Sequence, residues 1–334
     1  MESMGEESGS IRIGVIGGGQ LARMMVPPAI HLGLRISVLA ETEGSSAARA
    51  ADAVGDYRDP ETVYAFADTV DVITFDHEHV PNEILLELER RGVAVHPRPG
   101  ALQFAQDKIL MRQKLEELGV PVPEWAAVAD ESELQTFLNA HGGRAVVKTA
   151  RGGYDGKGVR VISDASEARD WFAALAEDGR GGQLLAEELV DFTRELSQLV
   201  ARRPSGEART WPVVETIQRD GVCAEVLAPA PVADPATLEK AAKIGETVAE
   251  GVGVTGVLAV EMFETRDGRV LVNELAMRPH NSGHFSIEGS VTSQFEQHLR
   301  AVADLPLGDT AMTAPAAVMV NVLGGPAEGP MPVR

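Results

Sequence analysis

The segment Glu261-Met-Phe-Glu-Thr-Arg-Asp-Gly-Arg-Val-Leu-Val-Asn-Glu274 constrains the chain more than any other. Asp267-Gly268 is a two-residue hairpin signal between strand-like runs. With that turn, Arg266 pairs with Arg269 and Glu261 lies directly opposite Glu274, their Cβ atoms about 5 Å apart on one face. The neighbours expected on that face, Ala259, Phe263, Val272 and Ala276, are apolar. Two carboxylates against such a surface repel each other, and burial would raise a pKa. A divalent cation removes the conflict, and carboxylate oxygens suit Mg²⁺, which takes one or two protein acids together with nucleotide phosphates. Glu261 and Glu274 are therefore the expected metal ligands. A register slip of one residue would undo this expectation.

Around the hairpin the chain changes grammar. Ile11–Ile16, Leu34–Leu39 and Val70–Phe75 read as buried strands separated by helical runs, which predicts a parallel α/β domain over residues 11–112. Gln106–Leu118 reads as a helix stopped by Gly119 and the Pro121/Pro123 pair. Strand-like runs follow at Ala145–Thr149, Val159–Ile162, Gln183–Val190, Glu195–Ala201 and Val213–Ile217, with helices at Ser166–Ala176 and Pro235–Gly251. That mixture predicts an α+β arrangement, with a small domain over 113–190 and a larger one over 191–334. Residues 1–10 read as a disordered acidic tail without the basic and apolar parts of a signal peptide.

With 30 basic and 50 acidic residues the formal charge is −20, which argues against general binding to nucleic acid or anionic membranes. No run of about 18 apolar residues occurs, so no membrane span is expected. The single cysteine, Cys223, makes no internal disulfide, suits a reducing cytoplasm, and reads as a small core residue in a strand.

Two glycine-rich stretches point to phosphate. Gly17, Gly19 and Ala22 satisfy G-x-G-x-x-A between a strand and a helix, and Glu41 stands where a ribose-binding acid would follow. This is the case for a rival reading, an NAD(P)-dependent oxidoreductase. It leaves the remaining two thirds of the chain without a purpose. The second stretch, Lys148-Thr-Ala-Arg-Gly-Gly-Tyr-Asp-Gly-Lys-Gly158, lies between two strands and lacks the G-K-[ST] ending of a P-loop. Its glycines predict a flap whose backbone N–H groups fold over phosphates, with Lys148 and Lys157 offsetting the charge.

These motifs together resemble the ATP-grasp superfamily and, within it, the N5-carboxyaminoimidazole ribonucleotide synthase family. The residues carrying the closer resemblance are Gly18-Gly-Gln-Leu-Ala-Arg-Met24, Thr74-Phe-Asp-His-Glu-His-Val-Pro81, Gly152-Gly-Tyr-Asp-Gly-Lys-Gly158, Arg278-Pro-His-Asn-Ser-Gly-His284 and Glu288-Gly-Ser-Val-Thr-Ser-Gln-Phe-Glu-Gln297. It covers residues 11–325. It implies an ATP-grasp fold with a Rossmann-like front domain, a lid domain and a C domain. It also implies a ligase of purine biosynthesis using ATP and Mg²⁺, or Mn²⁺. Its substrates would be bicarbonate and 5-aminoimidazole ribonucleotide, and the enzyme a cytoplasmic homodimer.

Residue by residue, the resemblance places Lys108 and Lys148 on ATP phosphates, with Gly153, Tyr154, Asp155, Gly156, Lys157, Gly158 and Val159 closing over them. Glu187, Glu188, Leu189 and Val190 would meet the adenine, Glu195 the ribose, and Asn273 the metal site beside Glu274. Tyr154, Asp155, Arg278, His280 and Asn281 would line the bicarbonate and ribonucleotide site, and Glu78 would face it.

Gln218 stands where the family usually has a histidine before Arg219, which is expected to tune the ATP site. The stop at Arg334, soon after Asn321-Val-Leu-Gly-Gly325, suggests a truncated last domain and a weakened substrate-phosphate site. His77 and His79 beside Asp76 and Glu78 are not expected to bind metal, because alternate strand residues face opposite ways. The related formyl-transferring enzyme acting on glycinamide ribonucleotide, and a non-catalytic nucleotide-binding homologue, remain as further alternatives.

Overall fold

The computed structural model describes residues 10–152, 158–177, 182–219, 221–232 and 234–322. The expectations for the tail, for Gly153, Tyr154, Asp155, Gly156 and Lys157, and for the chain beyond 322 lie outside these residues.

Apolar runs in the front third pair into a five-stranded parallel sheet. Arg12–Ile16 is central, flanked by Arg35–Ala40 and then Ala51–Val54 on one side, and by Val72–Phe75 and Ala94–Val95 on the other. Ala51–Val54 and Ala94–Val95 escaped the sequence reading. They are short edge strands of alternating or minimal apolar content, too brief for periodicity to register. One face of the sheet is covered by helix Gln20–His31 through Ala22, Met25 and Ala29, and also by Phe295, Leu299 and Val302 of helix Gln294–Val302. That second helix belongs to the far end of the chain, so front and rear share a core. His298 pins the contact, with Nε2 2.8 Å from Thr74 Oγ1 and Nδ1 accepting the Val257 N–H at 3.1 Å.

The predicted helix at Gln106–Leu118 is two helices, Pro99–Gln106 and Lys108–Glu117. Asp107 between them is extended and caps the second, its Oδ1 accepting from the N–H groups of Ile109 and Leu110. The break makes Lys108 the first residue of a helix and turns its side chain inward.

Two antiparallel sheets follow. The smaller runs Trp125–Val128, Leu184–Glu188, Ala145–Thr149, Val159–Ile162. The larger runs Val270–Ala276, Gly256–Thr265, Phe192–Arg202, Val214–Arg219, Val222–Ala228, Ala317–Val320, with Ala208–Thr210 paired to the long strand Phe192–Arg202. A parallel front unit joined to mixed antiparallel sheets is the fold class expected. Helix Pro235–Val252 begins on the Asp234 cap with Pro235 in its first turn and ends at Gly253, whose φ of 67° is left-handed. It buries Ala241, Val248 and Ala249 in a core that runs without interruption from the front sheet to the large one.

The hairpin differs from its prediction in one instructive way. The loop holds three residues, not two: Thr265 and Arg269 close it, with the Thr265 N–H donating to Arg269 O at 3.0 Å and Gly268 at φ 79°. Arg266 therefore does not pair with Arg269. The register starts one residue off, with Phe263 opposite Leu271 and Met262 opposite Val272. A bulge beyond Val272 restores it, and Glu261 pairs with Glu274 after all. Two irregularities offset each other. Val272 pays no part in the acidic face: it packs with Met262 and Val260 in the core behind the sheet.

Candidate functional site

The bulge brings both Asn273 and Glu274 to the wall of one cavity of about 750 Å³, which Glu261 also lines. The cavity is bounded by the two antiparallel sheets and, from the front of the chain, by residues 78–83 and the helices on either side of Asp107. Every predicted site residue in the described part lines it except Gly158, which precedes the lining residue Val159.

Lys148, on strand Ala145–Thr149, sends its Nζ 2.7 Å from Glu187 Oε2 and 3.0 Å from Asn273 Oδ1. Lys108 Nζ donates to Gly152 O at 3.1 Å and stands 3.4 Å from Glu274 Oε1. Neither lysine side chain is more than 9% exposed, so their charge is concentrated at the cavity rather than dispersed in solvent. Burial works to raise the Glu187 carboxyl, but the cations Arg112 and Lys148 outweigh it and hold it below the usual carboxylate range. Arg112 was missed in the sequence. It lies one helical turn after Lys108 and is wholly buried, its Nε on Glu187 and its Nη2 donating to Asn273 O at 2.7 Å. A guanidinium four residues from a lysine on an inward helix face was the available signal.

Glu261 and Glu274 differ in surroundings. The Glu261 side chain is 22% exposed and its Oε1 is 3.0 Å from His280 Nε2. Burial pushes its carboxyl up, but the His280 hydrogen bond and charge, with Arg278 and Lys148, bring it below the ordinary value. The Glu261 carboxylate can only accept, so His280 Nε2 carries a proton and donates it to Glu261, while Nδ1 lies 2.9 Å from Ser282 Oγ and 3.3 Å from the Ser282 nitrogen. Two opposed carboxylates with oxygen donors, each already steadied by a neighbour, suit a hard divalent cation completed by phosphate oxygens. Among the described residues no group of three or more His, Cys, Asp or Glu gathers to hold a metal, here or elsewhere, so a cation between these two acids would need nucleotide oxygens to complete its shell.

At the front rim, Glu78 is 4% exposed and binds across to the rear of the chain. Its Oε2 is 2.8 Å from Arg278 Nε, and its Oε1 accepts the Met277 N–H at 3.2 Å. Burial raises its carboxyl and Arg278 more than reverses this. Arg278 also donates from Nη1 to Pro279 O at 3.1 Å, so its plane is set in the wall beside Asn281 and His280.

At the opposite rim Leu189 and Val190, just past strand Leu184–Glu188, line the cavity, while Glu188 Oε1 accepts the Glu124 N–H at 3.1 Å. Burial raises the Glu195 carboxyl, a hydrogen bond from Gln218 works against that, and the Glu261 charge adds to it. Cys223 is buried, and burial pushes its thiol up to about 12, which keeps it an unreactive wall residue.

The glycine turn at the front has its donors filled by the chain itself. The Gly18 N–H donates to Glu41 Oε2 at 3.0 Å and the Ala22 N–H to Asp76 Oδ2 at 3.2 Å. A Cβ on Gly19 would fall 2.5 Å from Asp76 Oδ2, so this glycine makes room for a carboxylate rather than a pyrophosphate. Glu41 is further held 3.2 Å from His77 Nε2. The segment after Phe75 is a bend and not a strand, which corrects the basis on which His77 and His79 were separated from the acids: their rings lie 5.1 Å apart, while Glu78 reaches Arg278. Titration with NADH up to about 1 mM is expected to give no saturable change in protein fluorescence. A saturable signal in that range would restore the oxidoreductase reading.

Comparison with known proteins agrees with this geometry. A family model described as the ATP-grasp domain matches residues 113–295, and one for the ribonucleotide synthetase preATP-grasp domain matches residues 11–106. The chain is 52% identical over 318 residues to the N5-carboxyaminoimidazole ribonucleotide synthase of Corynebacterium ammoniagenes, covering 93% of this chain and 76% of that one. It is 50% identical over 314 residues to that of Mycobacterium tuberculosis, covering 93% and 73%. The crystal structure of the Aspergillus clavatus enzyme with ADP and 5-aminoimidazole ribonucleotide superposes with a TM-score of 0.85 at 32% identity, covering 95% of this chain and 83% of that one. Fold, cavity and relatives converge: this chain belongs to the N5-carboxyaminoimidazole ribonucleotide synthase family of ATP-grasp ligases.

Proposed function

We propose that the cavity performs the ATP-dependent carboxylation of 5-aminoimidazole ribonucleotide, with bicarbonate as the carbon source and Mg²⁺ between Glu261 and Glu274. The supporting observation is that those two acids face one cavity that also holds Lys108, Lys148 and the Glu78–Arg278 pair. Residues 113–190 act as the lid over that cavity, between a front domain of residues 11–112 and a C domain from 191 onward.

In this reading Lys108 and Lys148 lie along the polyphosphate, with Glu187, Arg112 and Asn273 fixing where Lys148 points. Leu189 and Val190 meet the base, and Glu195 with Gln218 meets the ribose. The divalent cation would neutralise charge on the transferring phosphoryl group. A bicarbonate oxygen displaces ADP from the γ-phosphorus to give carboxyphosphate. The ribonucleotide amine then forms the new C–N bond at the carboxyl carbon, phosphate leaves, and the amine's proton is lost. Arg278, its plane fixed by Glu78 and Pro279, faces the carboxyl group, with Asn281 beside it. His280 keeps Glu261 oriented through its Nε2–H. Phosphoryl transfer asks chiefly for positioning and charge stabilisation, and these residues supply both.

A coupled assay of ADP release, omitting each component in turn, tests the proposal. ADP formation is expected only when ATP, Mg²⁺, bicarbonate and 5-aminoimidazole ribonucleotide are all present. Turnover with glycinamide ribonucleotide and formate instead would redirect the assignment to the formyl-transferring reaction. We further propose a cytoplasmic homodimer, as the family resemblance implies; light scattering that gives a monomer at assay concentration would remove the dimer.

A further inference from the structure

Behind the cavity wall, helix Gln294–Val302 opens with a polar side chain that has no exposed surface, and its three hydrogen bonds all go to one turn. We propose that Gln294 is a positioning residue for the carboxylation: its amide grips the backbone of His280 on both sides and so holds the ring that orients Glu261. The kinetic consequence rests on the function proposed above; the grip itself does not.

Gln294 Oε1 accepts the His280 N–H at 2.8 Å, and its Nε2 donates to His280 O at 2.8 Å. A primary amide is complementary to the donor and acceptor of one backbone residue, much as a neighbouring strand would be. Its orientation follows from the partners, because the His280 N–H can only donate. Nε2 also lies 2.8 Å from His284 Nδ1 and directs its second proton there, so that Nδ1 is the bare nitrogen of a neutral ring. Burial holds His284 down to about 4, and the nearby His280 and Arg278 charges add to this, so the ring stays neutral at working pH.

The surroundings are shaped around this amide. A Cβ on Gly283 would lie 2.3 Å from Gln294 Oε1 and 2.3 Å from Leu199 Cδ2, so glycine there admits the clamp. Ser286 Oγ accepts the Gln294 N–H at 2.9 Å and fixes the helix end from which the side chain departs. From that anchor the chain of contact is short: Gln294 to the His280 backbone, His280 Nε2 to Glu261 Oε1 at 3.0 Å.

Two substitutions of similar size separate positioning from space-filling. Gln294→Met keeps the volume, leaves the His280 N–H unpaired, and removes one of the two donors on His280 O, which keeps the Gly283 N–H at 2.9 Å. Gln294→Glu keeps the acceptor for the His280 N–H but loses both donors. Partners that orient a metal ligand typically influence activity by about 10- to 100-fold, and a fall in kcat of that size is expected for both variants. KM for ATP should hold, since Lys108 and Lys148 are gripped elsewhere. The second readout needs neither nucleotide nor metal: ¹⁵N NMR of the histidine rings. In the native protein His284 Nδ1 is expected bare and Nε2 protonated; in Gln294→Glu the new carboxylate draws a proton onto Nδ1. A native protein with Nδ1 protonated, a folded Gln294→Glu whose His284 signals are unchanged, or a folded Gln294→Met with native kcat each overturns the proposal. A native protein that releases no ADP with the carboxylation substrates would sink the function while leaving the ring signals as expected, so the two failures are distinguishable.

Discussion

Glu274→Ala is expected to cut ADP release by about 10²- to 10³-fold, the usual cost of removing one preorganised group that stabilises developing charge, and to leave the fold in place. The second half follows from where Glu274 sits. Its side chain is 42% exposed, and the ion pair it makes with Lys108 spans 3.4 Å. Removing it buries no new charge, because Lys108 keeps its bond to Gly152 O, and it relieves the repulsion from Glu261 across the strands. The change in stability should stay near about 1 kcal/mol, because the acid itself is half-exposed and its buried partner Lys108 keeps another acceptor. Circular dichroism and thermal unfolding check the fold, and the coupled assay at saturating Mg²⁺ checks the rate. A folded variant with near-native turnover would end the paired-carboxylate account of this cavity.

Glu187→Gln should do the reverse, with stability suffering first. Arg112, Glu187 and Lys148 have side-chain exposures of 0%, 3% and 9%, so the substitution strands two buried cations with one neutral partner. Breaking a buried pair from one side typically costs about 3–5 kcal/mol, far above the effect of a surface ion pair. Urea unfolding measures this, and Glu187→Asp, which keeps the charge, should lose less.

The same carboxylate gives a pH signature. Despite the opposing effect of burial, Arg112 and Lys148 hold its folded pKa below the ordinary value. Its contribution is therefore fully present above the unfolded carboxylate pKa of about 4.3 and is lost as pH falls from there through the lower folded pKa. Glu187→Gln should flatten that part of the acid limb. An unchanged acid limb together with a native urea midpoint would show that the triad carries little of the stability.

The hairpin shows how far a local argument reaches. That Glu261 faces Glu274 was legible from Asp267-Gly268 and a period of two, yet the route was different: a three-residue loop shifted the register and a bulge shifted it back. No periodicity signals a bulge: it leaves Val272 in the core on the other side of the sheet while Glu274 still meets Glu261. The front glycine turn failed in the opposite sense. Its spacing suited a dinucleotide, but Asp76 and Glu41 occupy its donors, and nothing in the spacing of Gly17, Gly19 and Ala22 announces acids that arrive from the bends after two neighbouring strands.

By itself the sequence determined the elements with strong local grammar: the first strand and its glycine turn, the strands either side of the flap, the capped helix from Pro235, and the acids opposed across a hairpin. Caps, turns and alternation act between residues a few positions apart, so they can be read before any fold exists. The tertiary structure alone decided that Arg112 reaches Glu187, 75 positions away, and that Glu78 meets Arg278 across 200. It also decided that one buried amide from a rear helix holds the His280 turn. Such contacts form when packed sheets bring distant segments together, and burial then makes each unpaired polar group costly enough to demand its partner.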